Sequence, residues 1–289
     1  MRVASVPVDS KPGCCEENLA KIERWCKQAS QEGAQLALFP ELSITGFIPN
    51  HPVGDHAAWL REALAGARAM AERIDGAAVQ SLCRIANKTG LLVSAGMLEN
   101  AGNRLHNTQL LAGATGLMGA WRKLHIPMFE MPFYNGGDEA KVVETGLGRL
   151  GVNICFDALL PESTRLLAVQ NVETVLFPFA ADPAPGTAAA WAEWAGPALQ
   201  ARCRENAVFG VACNYVGSIE YAGVSQQFPG GAMICGPRGE ILARRIEPSG
   251  EPGMLIAELP PGMIEEARSE PEYLFRFRRP ELYGPLANH

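Results

Sequence analysis

The 289-residue sequence predicts a layered α/β domain, and three observations carry that expectation. Short β-branched or apolar runs alternate with longer stretches of helical periodicity. The run "VFGVACNYV" (208 to 216) is almost wholly apolar, as a strand covered on both faces must be. The composition, 47% hydrophobic and 19% charged, is that of a chain with a large core. No Ser/Gly-rich or charge-dense linker divides it, so residues 1–289 read as one domain.

Taken in order, "RVASVPV" reads as a first strand. A helix follows over 14 to 32, with Leu19, Ile22, Trp25, Cys26 and Ala29 on one stripe and Gly33 closing it. "AQLALFP" is a second strand, ending at Pro40. A second helix covers 75 to 89 and closes at Gly90, after which "LLVSAGM" and "NTQLLAG" read as strands. The stretch "GLMGAWRKLHIP" comes next, then the strand "RLGVNIC". A helix over 161 to 170 starts on Pro161 and carries Glu162 in its first turn, both favourable there. "VETVLFP" is a strand. Residues 188 to 206 are helical in two pieces, since Gly196-Pro197 is expected to break the first and Pro197 to begin the second. "GAMICGPRGEILARR" reads as a hairpin around "GPRGE".

The net charge of −6 argues against a nucleic-acid or anionic-membrane partner, which clustered Lys and Arg would signal. The short run "RFRRP" does not change that. No apolar run approaches the ~20 residues of a membrane span, and "MRVASVPVDS" lacks the apolar core of a signal peptide. A soluble, cytoplasmic protein is the expectation. There is no CxxC pair and no Cys/His cluster at zinc spacing, so no metal site is expected. Most of the eight cysteines, such as Cys213 and Cys235 in apolar runs, read as reduced core residues.

Three polar residues stand where a strand stops or a loop begins: Glu41 after "LALFP", Lys123 in "AWRKLHIP" and Cys155 at the end of "LGVNIC". Strand ends of layered α/β domains converge on one edge, so these three can meet. A thiol becomes an effective nucleophile when a base takes its proton or a cation stabilises the thiolate; Glu41 could be the base and Lys123 the cation. Each residue alone has a plainer reading. Cys155 would be a buried core thiol, Glu41 a turn residue and Lys123 a solvated charge. The three together, in order, favour chemistry.

In these contexts the order Glu, Lys, Cys resembles the nitrilase superfamily of carbon-nitrogen hydrolases. The stretches that carry the resemblance are "LALFPELSITGF", "WRKLHIP" and "GVNICFDALLPESTR", with "ARCRENAVFGVACNYVG", "FPGGAMICGPRGEILA" and "FRRPELYGP" in support, so it spans almost the whole chain. The resemblance implies a four-layer αββα sandwich and a Glu41-Lys123-Cys155 triad, usually in a homodimer. Glu130 in "HIPMFEMPFYNGGD" matches a second glutamate of many members, placed to position the substrate amide or to hold Lys123. The implied chemistry is hydrolysis of a small amide through a thioester on Cys155, with the Phe156 N–H and Lys123 on the oxyanion and no metal or organic cofactor. Phe156, Leu159, Phe179 and Ala180 are the implied substrate-binding residues.

Several neighbours invite other roles. His125 more simply orients its own loop, Asp157 serves as a turn acceptor and Glu162 as a first-turn residue. Trp191 and Trp194, three apart on a helix, are expected to share a face against the core or a partner subunit, with a pocket role as the lesser reading. Phe156-Asp157 after the thiol looks more like amidases and carbamoylases than the Trp-Glu of many nitrilases. Ala158 and Leu159 stand where carbamoylases of D-amino acids carry arginines, so a carboxylate-bearing substrate is disfavoured unless Arg165 or another cation reaches in. Phe179 and Ala232 replace small polar residues of the family pattern and make the surroundings more apolar. The expectation is an amidase acting on a small, largely neutral or apolar amide, with an N-carbamoyl compound as alternative and a nitrile as a weaker one. A catalytically silent scaffold of the same fold is the non-enzyme alternative. The aromatic and Arg-rich tail, 270 to 289, suits a subunit interface, so a homodimer or a higher homo-oligomer is expected.

Overall fold

The chain runs β1 (Arg2–Ser5), α1 (Cys15–Gln31), β2 (Leu36–Leu38), α2 (His56–Met70), α3 (Ala77–Thr89), β3 (Leu92–Ala101), β4 (Arg104–Gly113) and β5 (Gly116–Arg122). It continues through β6 (Val143–Thr145), β7 (Gly148–Val152), α4 (Pro161–Ala168), β8 (Thr174–Phe179), α5 (Ala188–Asn206) and β9 (Phe209–Asn214). The last elements are β10 (Val216–Tyr221), β11 (Val224–Pro229), β12 (Ala232–Cys235), β13 (Ile241–Arg245), β14 (Leu255–Glu258) and α6 (Gly262–Ser269). This is a computed structural model, and it describes residues 1–51, 54–246 and 250–287.

Two six-stranded sheets result, ordered β14-β1-β2-β3-β4-β5 and β13-β12-β9-β8-β7-β6. In each, the inner three strands β1, β2, β3 and β7, β8, β9 are parallel. Side-chain alternation assigns the faces. Val3, Leu36 and Leu38 join an apolar cluster that includes Val152, Val175 and Val211 of the other sheet and reaches Leu167 of α4 and Trp191, Leu199 and Cys203 of α5. Their neighbours Ala4, Ala37 and Phe39 turn outward to Ile22 and Cys26 of α1 and Leu82 and Ile85 of α3. The Ser5 hydroxyl donates to the Ala212 carbonyl at 2.8 Å, bridging the two sheets. The architecture is the expected αββα sandwich. Each fully buried Leu, Ile or Phe contributes about 1.5–3 kcal/mol, so the three-layer burial around β8 and β9 fixes where the strand ends fall.

The predicted helices form close to their expected bounds, with Gly90 in the left-handed conformation at the end of α3 (φ 72°). Residues 188 to 206 differ from expectation: α5 is one helix with Pro197 inside it. Pro197 is exposed while Gly196 is buried against Met233. The Glu193 carbonyl that loses its intrahelical partner therefore faces solvent, and packing of the buried face holds the helix through the proline. Among the elements for which there was no expectation are α2 and the hairpin β10–β11. Trp59, Ala63 and Ala67 of α2 and Ile219 and Phe228 of the hairpin build a third apolar cluster with Phe47 and Tyr215. None of the eight cysteines is in a disulfide.

Candidate active site

Glu41 lies just past the carboxyl end of β2, in a loop that rests directly on β3. A Cβ at Gly96 would fall 2.2 Å from the Leu42 nitrogen, so only glycine admits this approach. Leu42 takes the left-handed conformation (φ 54°). The Ser43 hydroxyl accepts from the Gly96 N–H and the Thr45 hydroxyl from the Leu98 N–H, at 3.2 and 2.9 Å. The Glu41 carboxylate is fully buried. Its Oε1 accepts from the Ala180 N–H at 2.6 Å, and its Oε2 from Asn107 Nδ2 at 2.6 Å and Lys123 Nζ at 3.3 Å.

Lys123 follows β5 and is fully buried. Its ammonium donates to Glu130 Oε2 at 2.6 Å as well as to Glu41. Burial alone would push the lysine pKa down, yet Glu130 and Glu41 outweigh it and hold it well above the ordinary value, so the cation persists at neutral pH. Burial raises Glu130 to about 7 against the opposing pull of Lys123. Ionising Glu130 is thus harder in the folded chain than in the unfolded one, where a carboxyl titrates near 4.5. By linkage, the stability this group contributes is complete below about 4.5 and is lost as pH rises to about 7. Relative to Glu130→Gln, the wild type is expected to lose up to about 3 kcal/mol of unfolding free energy between pH 5 and pH 8. Urea unfolding of both proteins at the two pH values checks this; a wild-type advantage that grows with pH contradicts it.

Cys155 opens a short 3₁₀ turn, Cys155–Leu159, just after β7, and its backbone is left-handed (φ 50°). Such a conformation costs a non-glycine residue of order 1 kcal/mol or more and turns its side chain away from the strand direction. The turn's first N–H groups, that of Phe156 among them, have no acceptor within the turn itself. Asp157 locks this turn to the lysine loop: its carboxylate accepts from the backbone N–H groups of Ile154, Leu124 and His125 at 3.1, 3.2 and 2.8 Å. His125 Nδ1 lies 2.9 Å from Asp157 Oδ1. Both residues thus have the local roles expected of them. Arg202, which the sequence did not single out, braces the turn from behind by donating to the carbonyls of Ala158 and Leu159 at 3.1 Å. Burial, then the Glu41 charge, raise the Cys155 thiol well above its ordinary pKa, with Lys123 acting the other way. In the free protein the sulfur therefore carries its proton.

A cavity of about 330 Å³ opens over Cys155, and Glu130, Phe156 and Ala180 also line it. A larger cleft of about 440 Å³ near Glu173 and Arg268 contains neither a thiol nor a lysine. Of the residues read as substrate-binding, Phe156 and Ala180 are at the cavity, while Leu159 and Phe179 are not among those lining it. Leu159 presents its carbonyl to Arg202. Phe179 is fully buried, edge-on to Trp191 and Trp194 with ring centroids 5.6 and 6.4 Å away. The two tryptophans part company: Trp191 is core, and Trp194, 41% exposed, lines the cavity. Arg165 donates to the Glu205 carbonyl and lies over the Phe275 ring, so it does not reach in. Ala232 is buried in β12 opposite Cys213. Asn107, His51, Asp182 and Gln226 were not singled out: Asn107 opens the strand "NTQLLAG", and the other three lie within four residues of recognised stretches without a motif of their own.

The arrangement puts a protonated thiol, a buried carboxylate and a fixed cation beside one accessible cavity, which suits proton transfer followed by nucleophilic attack on a polarised carbon. The carbon-nitrogen hydrolase family pattern matches residues 2–269. A nitrilase of Pyrococcus abyssi is 30% identical over 270 residues, with 93% of each chain covered. An N-carbamoylputrescine amidase of Arabidopsis thaliana is 28% identical, covering 99% of this chain and 96% of that one. Among solved structures, a mutant of the amidase from Nesterenkonia sp. AN1, showing Michael addition of acrylamide at its active-site cysteine, aligns at 25% identity with a TM-score of 0.76 and 99% of each chain covered. With pattern, relatives and fold in agreement over nearly its whole length, this chain belongs to the carbon-nitrogen hydrolase family and is a carbon-nitrogen hydrolase of the amidase-like kind.

Proposed function

We propose that the protein hydrolyses the carbon-nitrogen bond of small linear amides through a thioester on Cys155. Glu41 takes the thiol proton as the sulfur attacks the carbonyl carbon. The oxyanion is stabilised by the Lys123 ammonium and the Phe156 N–H. Glu41 returns the proton to the leaving nitrogen as the carbon-nitrogen bond breaks, and ammonia departs. A water then attacks the thioester, giving its proton to Glu41; the carbon-sulfur bond breaks, the acid is released and Cys155 regains its proton. Glu130 holds Lys123 in place and bounds the cavity.

The observation that carries this reading is that Glu41, Lys123 and Glu130 form one buried, hydrogen-bonded cluster beside a cavity that exposes Cys155. A scaffold protein would have no use for that cluster, because burying three ionisable groups is costly and replaceable by apolar packing. The Arabidopsis relative supports an N-carbamoyl amine as the second substrate class. Ammonia release from a panel of simple amides, N-carbamoyl compounds and nitriles tests the assignment: amides should be turned over fastest, and turnover of nitriles alone would overturn it.

We also propose a homodimer that uses the tail. Leu274, Phe277, Leu282 and Leu286 of residues 270–287 are each at least half exposed. Residues 288 and 289 lie outside the described residues. A solution mass equal to the 31.0 kDa monomer would contradict the dimer.

A further inference from the structure

We infer that the cavity selects amides, or N-carbamoyl amines, that carry a protonated amine at the end remote from the bond to be cleaved, with Asp182 as the anchoring carboxylate. The inference rests on the amide-hydrolase reading above and names the substrate class within it. Asp182 sits just past β8 and lines the same cavity as Cys155. Its Oδ2 accepts from Gln226 Nε2 at 3.0 Å and lies 3.2 Å from His51 Nε2. Its Oδ1 has no hydrogen-bond partner among the described residues. Gln226 is itself oriented, since its Oε1 accepts from the Asn50 N–H at 3.2 Å, which turns its NH₂ toward Asp182. Two other stretches of chain, Asn50–His51 and Gln226, therefore hold the carboxylate in place and leave one oxygen free.

The charge around it points one way. Among the described residues no Lys or Arg lines the cavity, whereas two carboxylates do, Glu130 and Asp182. Lys123 is saturated by Glu41 and Glu130, and Arg165 is turned toward Glu205 and Phe275. A carboxylate on the substrate would meet like charge and find no cation to compensate its desolvation. An ammonium would meet the free Oδ1 of Asp182 in a charge-assisted hydrogen bond. Phe129, Phe156 and Trp194 give the cavity an apolar, aromatic wall. It suits a methylene chain, and its ring faces attract a cation. His51, stacked on Phe129 at 5.9 Å between centroids, completes the mouth. The sequence pointed to a neutral or apolar substrate because arginines are absent after the thiol; Asp182 adds a carboxylate to the same cavity.

The test compares δ-aminovaleramide with hexanamide, its uncharged isostere, and with glutaramate, its carboxylate counterpart, on the wild type, Asp182→Asn and Asp182→Glu. The wild type is expected to prefer δ-aminovaleramide over hexanamide by about tenfold to a hundredfold in kcat/KM, mostly through KM, and to be slowest with glutaramate. Asp182→Asn should bring that ratio within about threefold of unity, and Asp182→Glu should keep part of the preference. Each ratio is read on one protein with two substrates, so a general loss of activity cancels. A wild-type ratio near unity, a preference for glutaramate, or a ratio unchanged in Asp182→Asn overturns the inference; Cys155-dependent hydrolysis of hexanamide in those cases leaves the amide-hydrolase reading standing. No hydrolysis of any of the three overturns that reading and the inference with it. If Asp182→Asn does not fold, the wild-type order of the three substrates decides.

Discussion

Cys155→Ala is expected to abolish amide hydrolysis, with kcat falling by more than about ten-thousand-fold while the protein stays folded. The sulfur supplies the bond on which the proposed sequence of steps depends, and no other thiol lines the cavity. Cys203, Cys213 and Cys235 are buried elsewhere in the core, and Cys14 is exposed at the start of α1. The substitution removes one side chain, itself 6% exposed, from a turn held by its neighbours through Asp157 and Arg202, so its effect on folding should be small. Ammonia release at saturating amide, with circular dichroism to confirm the fold, measures both. Residual turnover within about tenfold of wild type would remove Cys155 from the mechanism.

Lys123→Met is expected to damage both stability and rate. The ammonium is the only cation placed between Glu41 and Glu130 among the described residues, and all three groups are buried. Removing one member of a buried ion cluster leaves uncompensated charge and typically costs about 3–5 kcal/mol. Glu130, raised by burial to about 7, takes up a proton at lower pH, so the loss should be smaller at pH 5 than at pH 8. The same change removes an oxyanion-stabilising charge, which is worth about a hundredfold to a thousandfold in kcat. Urea unfolding at both pH values and steady-state ammonia release report the two effects separately. A variant as stable as wild type at pH 8, or one of equal kcat, contradicts the role given to Lys123.

The parts legible in the sequence are those written in local pattern. The strands "LALFP" and "LGVNIC" end where their apolar runs end, which placed Glu41 and Cys155 at the carboxyl edge of the parallel strands. Gly90 marked the stop of α3 because a left-handed residue there favours glycine. What was not legible depends on contacts between distant stretches. Helix α5 passes through Pro197 because its buried face packs on Met233 of β12, a fact absent from its own residues. Helix α2 carries its stripe on Trp59 and two alanines, too weak an apolar signal to stand out. Strands β10 and β11 are half polar on their outer face. In the site, Asn107 was hidden inside a strand. Asp182, His51 and Gln226 come from three loops and strands with no shared motif, and only folding brings them together. Trp194 separated from Trp191 because α5 is only partly covered at the cavity mouth.

On the proposed mechanism, turnover passes through an acyl group on Cys155. The most direct measurement is turnover of hexanamide and δ-aminovaleramide in the presence of hydroxylamine, with mass mapping of acid-quenched protein. The hydroxamate is expected to form in competition with the free acid, and the quenched protein to carry the acyl group on Cys155 alone. Hydrolysis that proceeds with neither hydroxamate nor an adduct on Cys155 would contradict it.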